Sequence, residues 1–142
     1  MRHFTYPAKL TRDRKDGGFV VTFRDVPEAI TQGDTLADAL SEAEGALQAA
    51  VEARIEDGMD IPATTPAKRG EHLVPTPITT ALKAAVHLAM RQKGVTKSEL
   101  ARRMHVDEKE ARRMLDPHQQ TKVPALERAL SALGLRAEIA VS

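Results

Sequence analysis

A chain of 142 residues has room for one ordinary domain or two small ones, and without cysteine it can carry neither a disulfide nor a thiolate zinc site. The net charge of +1 conceals an uneven distribution: residues 1–66 hold seven basic and twelve acidic residues, net −5, whereas residues 67–142 hold fourteen and eight, net +6. An acidic half followed by a basic half points to two modules with different partners, the basic one suited to a polyphosphate; no apolar run approaches membrane-spanning length and no signal-peptide core opens the chain, so a cytoplasmic protein with no membrane partner is expected.

From the N-terminus, His3 to Leu10 alternates, with Phe4, Tyr6, Ala8 and Leu10 on one side, which is the period of a half-buried strand. Pro7 has no N–H for a ladder and places this strand at an edge or with that position directed outward. Asp16-Gly17 marks a hairpin turn, and Gly18 to Phe23 returns with Phe19, Val21 and Phe23 on one face. After Asp25-Val26-Pro27, Ala29 to Thr31 is short and β-prone, a third antiparallel strand. Thr35 then caps a long helix, with Asp38 three residues on. Leu36, Leu40, Ala43, Leu47, Ala50 or Val51, and Ile55 recur as one buried stripe until Gly58, and Asp38, Glu42, Glu52 and Glu56 make the other side acidic. That acidic face is either plain solvated surface or a surface for a basic partner.

Four of the eight prolines, Pro62, Pro66, Pro75 and Pro77, fall between Ile61 and Pro77, which reads as the connection between domains, with His72-Leu73-Val74 able to add a short strand to the first sheet. The division is drawn at 1–70 and 71–142. Thr76-Pro77 starts a helix that buries Ile78, Leu82, Val86 and Ala89 and ends at Gly94.

Thr96 to Leu115, TKSELARRMHVDEKEARRML, carries two helix starts in succession. Thr96 with Glu99, and Asp107 with Glu110, each pair an N-cap with an acid three residues later. Ala101, Met104, Val106, Ala111, Met114 and Leu115 share one core side, leaving Lys97, Arg102, Arg103, Glu108, Lys109, Arg112 and Arg113 outside. This is the pattern of a helix-turn-helix, whose second helix enters the major groove while the first crosses the phosphate backbone. Glu108, Lys109, Arg112 and Arg113 are the candidate base readers, and Thr96 and Lys97 the candidate backbone contacts. The order of residues resembles the lambda-repressor-like (Xre) class of DNA-binding domains. His105 stands where that class places Gly, at a turn position that tends to need positive φ, which His tolerates better than most residues. Two plain helices of a small bundle with a solvated charged face are the alternative.

Beyond Pro117, Pro124 opens a last helix with Leu126, Leu130 and Leu133, closed by Gly134. Leu135, Ala137, Ile139 and Val141 then alternate with Arg136, Glu138 and Ala140, so the chain is expected to end in a strand. With no strand partner in a helical domain, it would pair with the same strand of a second copy and form a homodimer or higher oligomer. The fold class is α+β: a small antiparallel sheet with a long helix, then an all-helical domain with a dimerising terminal strand.

The N-terminal residues carry a second resemblance. A proline-containing first strand, an Asp-Gly-Gly hairpin, Phe23-Arg24-Asp25-Val26-Pro27, and Thr31-Gln32-Gly33-Asp34-Thr35 before a long helix resemble the HicB family of antitoxins, whose pattern runs F-P-D-x-P-G-x-x-T-x-G-D-T. Arg24 replaces the usual Pro and Glu28 the usual Gly. The resemblance implies a partial ribonuclease-H-like domain that neutralises a small basic HicA-type mRNA-cleaving toxin. It also implies a DNA-binding domain that represses the operon encoding both.

The residues favour binding over catalysis. A metal-dependent nuclease needs convergent carboxylates, and Asp13, Asp16 and Asp25 are scattered in a turn and at a strand end. The five histidines show no paired spacing, and no nucleophile elbow, Walker loop or dinucleotide fingerprint is present. No enzyme activity, cofactor or metal is expected. The competing functions are a stand-alone transcriptional regulator with a ligand-sensing N-terminal domain and a vestigial nuclease.

Overall fold

The alternation at the N-terminus forms a strand, β1, at Thr5–Arg12 in the computed structural model, which describes residues 1–142. It is followed by β2 (Phe19–Phe23), β3 (Ile30–Gly33), α1 (Leu36–Glu56), β4 (His72–Pro75), α2 (Ile78–Lys93), α3 (Lys97–Met104), α4 (Glu108–Leu115) and α5 (Val123–Ala132). The chain is α+β, and it divides into two units, Met1–Arg54 with Ile61–Pro77, and Ile55–Asp60 with Ile78–Ser142. The expected boundary after residue 70 therefore moves to Pro77, because β4 pairs with β1 and cannot be cut from it.

The antiparallel sheet of the first unit has the order β3-β2-β1-β4. β1 is thus an interior strand, so of the two placements that Pro7 allowed, the edge is not taken and the outward-directed position is. The Thr76 N–H donates to the Phe4 carbonyl at 2.9 Å and the Asp13 N–H to the Gly18 carbonyl at 2.9 Å, so even-numbered residues of β1 bond toward β4 and odd-numbered ones toward β2. Pro7 falls one position beyond the Ala8–Phe23 pair that ends the β1–β2 ladder, and its missing donor breaks no ladder bond. The third strand lies slightly later than the expected 29–31.

Tyr6, Ala8, Val21, Phe23 and Val74 are buried along one face of this sheet, and α1 buries Ala39, Ala43, Leu47, Ala50 and Val51; these two sets form the core of the unit. Thr35 Oγ1 accepts the Asp38 N–H at 3.1 Å and caps α1. A Cβ on Gly33 would stand 2.4 Å from the Ala39 nitrogen, so only glycine lets the end of β3 meet the first turn of α1. Leu36, expected in the stripe, is 45% exposed because it precedes the first turn that reaches the sheet.

The proline-rich stretch after Asp60 is fastened to the first unit instead of running free. Tyr6 Oη donates to the Pro62 carbonyl at 2.7 Å, Thr64 Oγ1 to the Thr5 carbonyl at 2.6 Å, and the Thr65 N–H to Asp25 Oδ2 at 2.9 Å. The two departures from the family pattern both take part in ion pairs. Arg24 meets Glu71 through Nη2 at 2.9 Å and Nε at 3.1 Å and also donates to Thr65 Oγ1 and the Pro66 carbonyl. Glu28 receives Arg54 Nη2 at 2.9 Å. The hydrogen bond from Arg24 holds the Glu71 carboxyl below its usual range, and that from Arg54 does the same for Glu28.

In the second unit, Leu82, Val86, Ala89 and Met90 of α2 pack with Val95, Leu100, Met114, Leu115, Leu126, Ala129, Leu130 and Leu133 in one cluster. α2 begins at Ile78 and not at Pro77, so Thr76 does not cap it: the Thr76 hydroxyl is buried without a hydrogen-bond partner, and Ile78 at the helix start is 55% exposed instead of buried. The expected terminal strand is also absent. Leu135 to Ser142 pairs with no strand, and Leu135, Ile139 and Val141 are 44%, 71% and 92% exposed. A strand exists only through ladder bonds to a neighbour, and this segment makes none: it joins neither edge of the first unit's sheet, and the second unit is otherwise helical.

Candidate nucleic-acid interface

α3 and α4 are two eight-residue helices joined by His105, Val106 and Asp107. Each helix is capped at its N-terminus by a side chain. Thr96 Oγ1 accepts the Glu99 N–H at 3.1 Å, and Asp107 Oδ1 accepts the Glu110 N–H at 2.7 Å. His105 adopts φ 57°, ψ 40°, the left-handed region. Its N–H donates to the Arg102 carbonyl at 3.2 Å and that of Val106 to the Ala101 carbonyl at 3.0 Å, the two bonds of a Schellman closure with histidine in the place that glycine usually takes.

Ala111, Met114 and Leu115 turn one side of α4 into the core. Glu108, Lys109, Arg112 and Arg113 are all exposed, as are Thr96 and Lys97 at the start of α3. The structure thus keeps on the surface every residue expected to read bases or touch phosphate. It also separates them by availability. Arg112 Nη2 lies 2.6 Å from Glu108 Oε1 one turn back, and Arg103 Nη2 lies 2.8 Å from Glu99 Oε1. Glu99 therefore reaches Arg103 and not back to the Thr96 N–H as a reciprocal cap would. An exposed i,i+4 pair holds only ~0.3–0.5 kcal/mol, which a stronger anion displaces. Lys97, Lys109 and Arg113 stand without an ion pair. Thr96 spends its oxygen as the cap acceptor, and its hydroxyl hydrogen remains a donor.

Sequence reasoning passed over one polar residue beneath this surface. Lys83 in α2 is 2% exposed, and its ammonium donates to the carbonyls of Asp116 and Gln119, each at 2.6 Å. The i, i+3 spacing of Thr80 and Lys83 beside Leu82 and Val86 gave no signal, since a lysine in a helix is ordinarily read as solvated. The four residues of the expected dimer strand, Leu135, Ala137, Ile139 and Val141, lie beyond α5, and all four are exposed. No three histidine, aspartate or glutamate side chains are grouped to hold a metal, and no helix is long and apolar enough to cross a membrane.

Comparison with known proteins bears on both units. The sequence model for the HicB-like antitoxin of bacterial toxin–antitoxin systems matches residues 5–85. Antitoxin HicB of Escherichia coli strain K12 is 38% identical over 129 residues, covering 91% of this chain and 93% of that protein. Antitoxin HicB 2 of Photorhabdus laumondii is 36% identical over 138 residues, covering 97% and 96%, and Antitoxin HicB 1 of the same organism is 35% identical over 134. The chain belongs to the HicB-like antitoxin family. These relatives align past residue 85 and into the helical unit, since a match of 129 residues exceeds the first unit's length.

Proposed function

We propose that this protein is the antitoxin of a type II toxin–antitoxin pair that neutralises a small, basic, HicA-like mRNA-cleaving toxin through its first unit and represses its own operon by binding operator DNA through its second. Family membership supports the first part. The first unit is then a partial ribonuclease-H-like fold whose surface, and not a catalytic centre, does the work: Asp38, Glu42 and Glu44 are exposed on α1, and they suit a basic partner.

The observation that carries the second part is the exposed face of α4. A helix with one side buried in the core presents Lys109 and Arg113 without ion pairs, after a turn closed by the left-handed His105 and the Asp107 cap. That is the arrangement of a helix-turn-helix, with α4 as recognition helix and Lys97 on the backbone. Arg113 bidentate to a guanine is the commonest specific contact of such a helix. Operators read by two-fold proteins need a dimer, and the exposed apolar alternation of Leu135, Ala137, Ile139 and Val141 is the segment that supplies it, as a strand formed only when two copies meet.

Co-expression with the product of the neighbouring open reading frame tests the toxin half. Relief of growth arrest together with co-purification of the two chains is the expected result. A neighbouring product that arrests growth regardless of this protein contradicts it.

A further inference from the structure

A lysine that is 2% exposed has left water, and its charge is tolerable only if fixed dipoles replace the solvent. Lys83 meets that requirement in an unusual way: its Nζ atom reaches two main-chain carbonyls, Asp116 O and Gln119 O, 33 and 36 residues away. Asp116 is the C-cap of α4, with its N–H donating to the Arg112 carbonyl, and its own carbonyl also takes the Gln119 N–H at 3.2 Å. The side chain of Asp116 accepts the His118 N–H at 2.9 Å. The turn that ends α4 is therefore wound around one ammonium group. A cation at a helix C-terminus is also favoured by the helix dipole.

We propose that Lys83 is a positioning residue for α4, fixing the C-terminal end of the helix and the turn after it so that Arg112 and Arg113, one turn from that end, are presented in one orientation. This rests on the DNA-reading role proposed above for α4. Apolar packing through Ala111, Met114 and Leu115 holds the helix against the core, but contacts of that kind are non-directional and permit rolling and sliding. A buried ammonium bonded to two carbonyls adds direction, because hydrogen bonds to a charged donor weaken steeply with angle.

Lys83→Met distinguishes positioning from stability. Methionine fills nearly the same volume and Asp116 O keeps the Gln119 N–H, but Gln119 O loses its donor, so some loss of stability is expected and a control of lowered stability is needed. Leu126→Ala is the control: it opens a cavity in the same core and lowers stability without removing a hydrogen bond from the turn. Two readouts are taken on the full-length chain under conditions where all variants are folded. One is the ratio of affinity for the promoter fragment of its own operon to affinity for unrelated DNA. The other is hydrogen exchange of the Gln119 amide. Lys83→Met is expected to lower the affinity ratio about tenfold, the loss of one good base contact, and to speed Gln119 exchange, while Leu126→Ala leaves the ratio unchanged. An unchanged ratio in Lys83→Met overturns the proposal, as does an equal fall in both variants. If the wild-type chain shows no preference for its promoter, the DNA-reading role itself fails. The exchange experiment then decides the anchoring on its own: faster exchange upholds it, and unchanged exchange overturns it.

Discussion

His105→Gly should stabilise the helical unit. At φ 57° and ψ 40° an L-residue places its Cβ too close to the following carbonyl, at a cost of roughly 1–2 kcal/mol. Glycine removes that cost, but it enters the unfolded ensemble with more freedom and so gives back about 0.5–1 kcal/mol. Nothing else is lost, because the imidazole is exposed and makes no hydrogen bond, while the two closing bonds belong to the main chain. The net gain is about 0.5–1 kcal/mol, or a few degrees in melting temperature for a unit of this size. Gly94→Ala is the mirror experiment: Gly94 sits at φ 64° at the end of α2 with open space around its Cβ position, so alanine there brings strain without a clash and should cost a similar amount. Urea titration, with the exchange of α3 core amides as the local probe, measures both. A loss of stability in His105→Gly, or a gain in Gly94→Ala, would refute the strain argument.

Three further outcomes follow from the same structure. A fragment ending at Pro77 should fold and retain toxin binding, while one ending at Arg69 should not fold, because it removes β4 and bares the full edge of β1; heteronuclear spectra separate them, and equal dispersion in the two would mean that β4 is dispensable. Glu28 has a folded pKa below its unfolded value of about 4.3, so its contribution is complete above that value and is lost as pH falls through the folded pKa. Glu28→Gln should therefore flatten the acid limb of the stability profile and leave the protein less stable than wild type at neutral pH; parallel acid limbs would contradict the Arg54 pairing. Deletion of Arg136 to Ser142 should halve the mass seen by light scattering and weaken operator binding with toxin binding intact, and an unchanged mass would place the dimer interface elsewhere.

Local signals in the sequence were sufficient where the structure is local. Thr35, Thr96 and Asp107 cap the helices they precede, and His105 takes the left-handed turn that its position demands. Misreadings arose where a neighbour distant in sequence decides the outcome. Of the two placements that Pro7 allowed, the edge failed because β4 covers β1 on its other side, and the ladder of β1 with β4, about sixty-five residues on, has no periodic signature at a four-residue strand. Thr76 resembles a cap but gives its N–H to Phe4, across the sheet. Arg24 and Glu28 looked like bare departures from a family pattern, and their partners Glu71 and Arg54 are far along the chain. The burial of Lys83 depends on the turn after α4, which no period in α2 can announce. The proposed pairing of Leu135 to Val141 needs a second chain, and in one chain the segment joins no ladder.

The central claim, that α4 reads the operator, meets its most direct test in a gel-shift titration of the full-length chain on the promoter of its own operon, at several salt concentrations. Arg113→Ala should abolish preference for that promoter over unrelated DNA, a loss of about 1–3 kcal/mol per bidentate contact. Lys97→Ala should weaken both DNAs alike and reduce the salt slope by about one unit. Full selectivity in Arg113→Ala would contradict the placement of α4 in the groove.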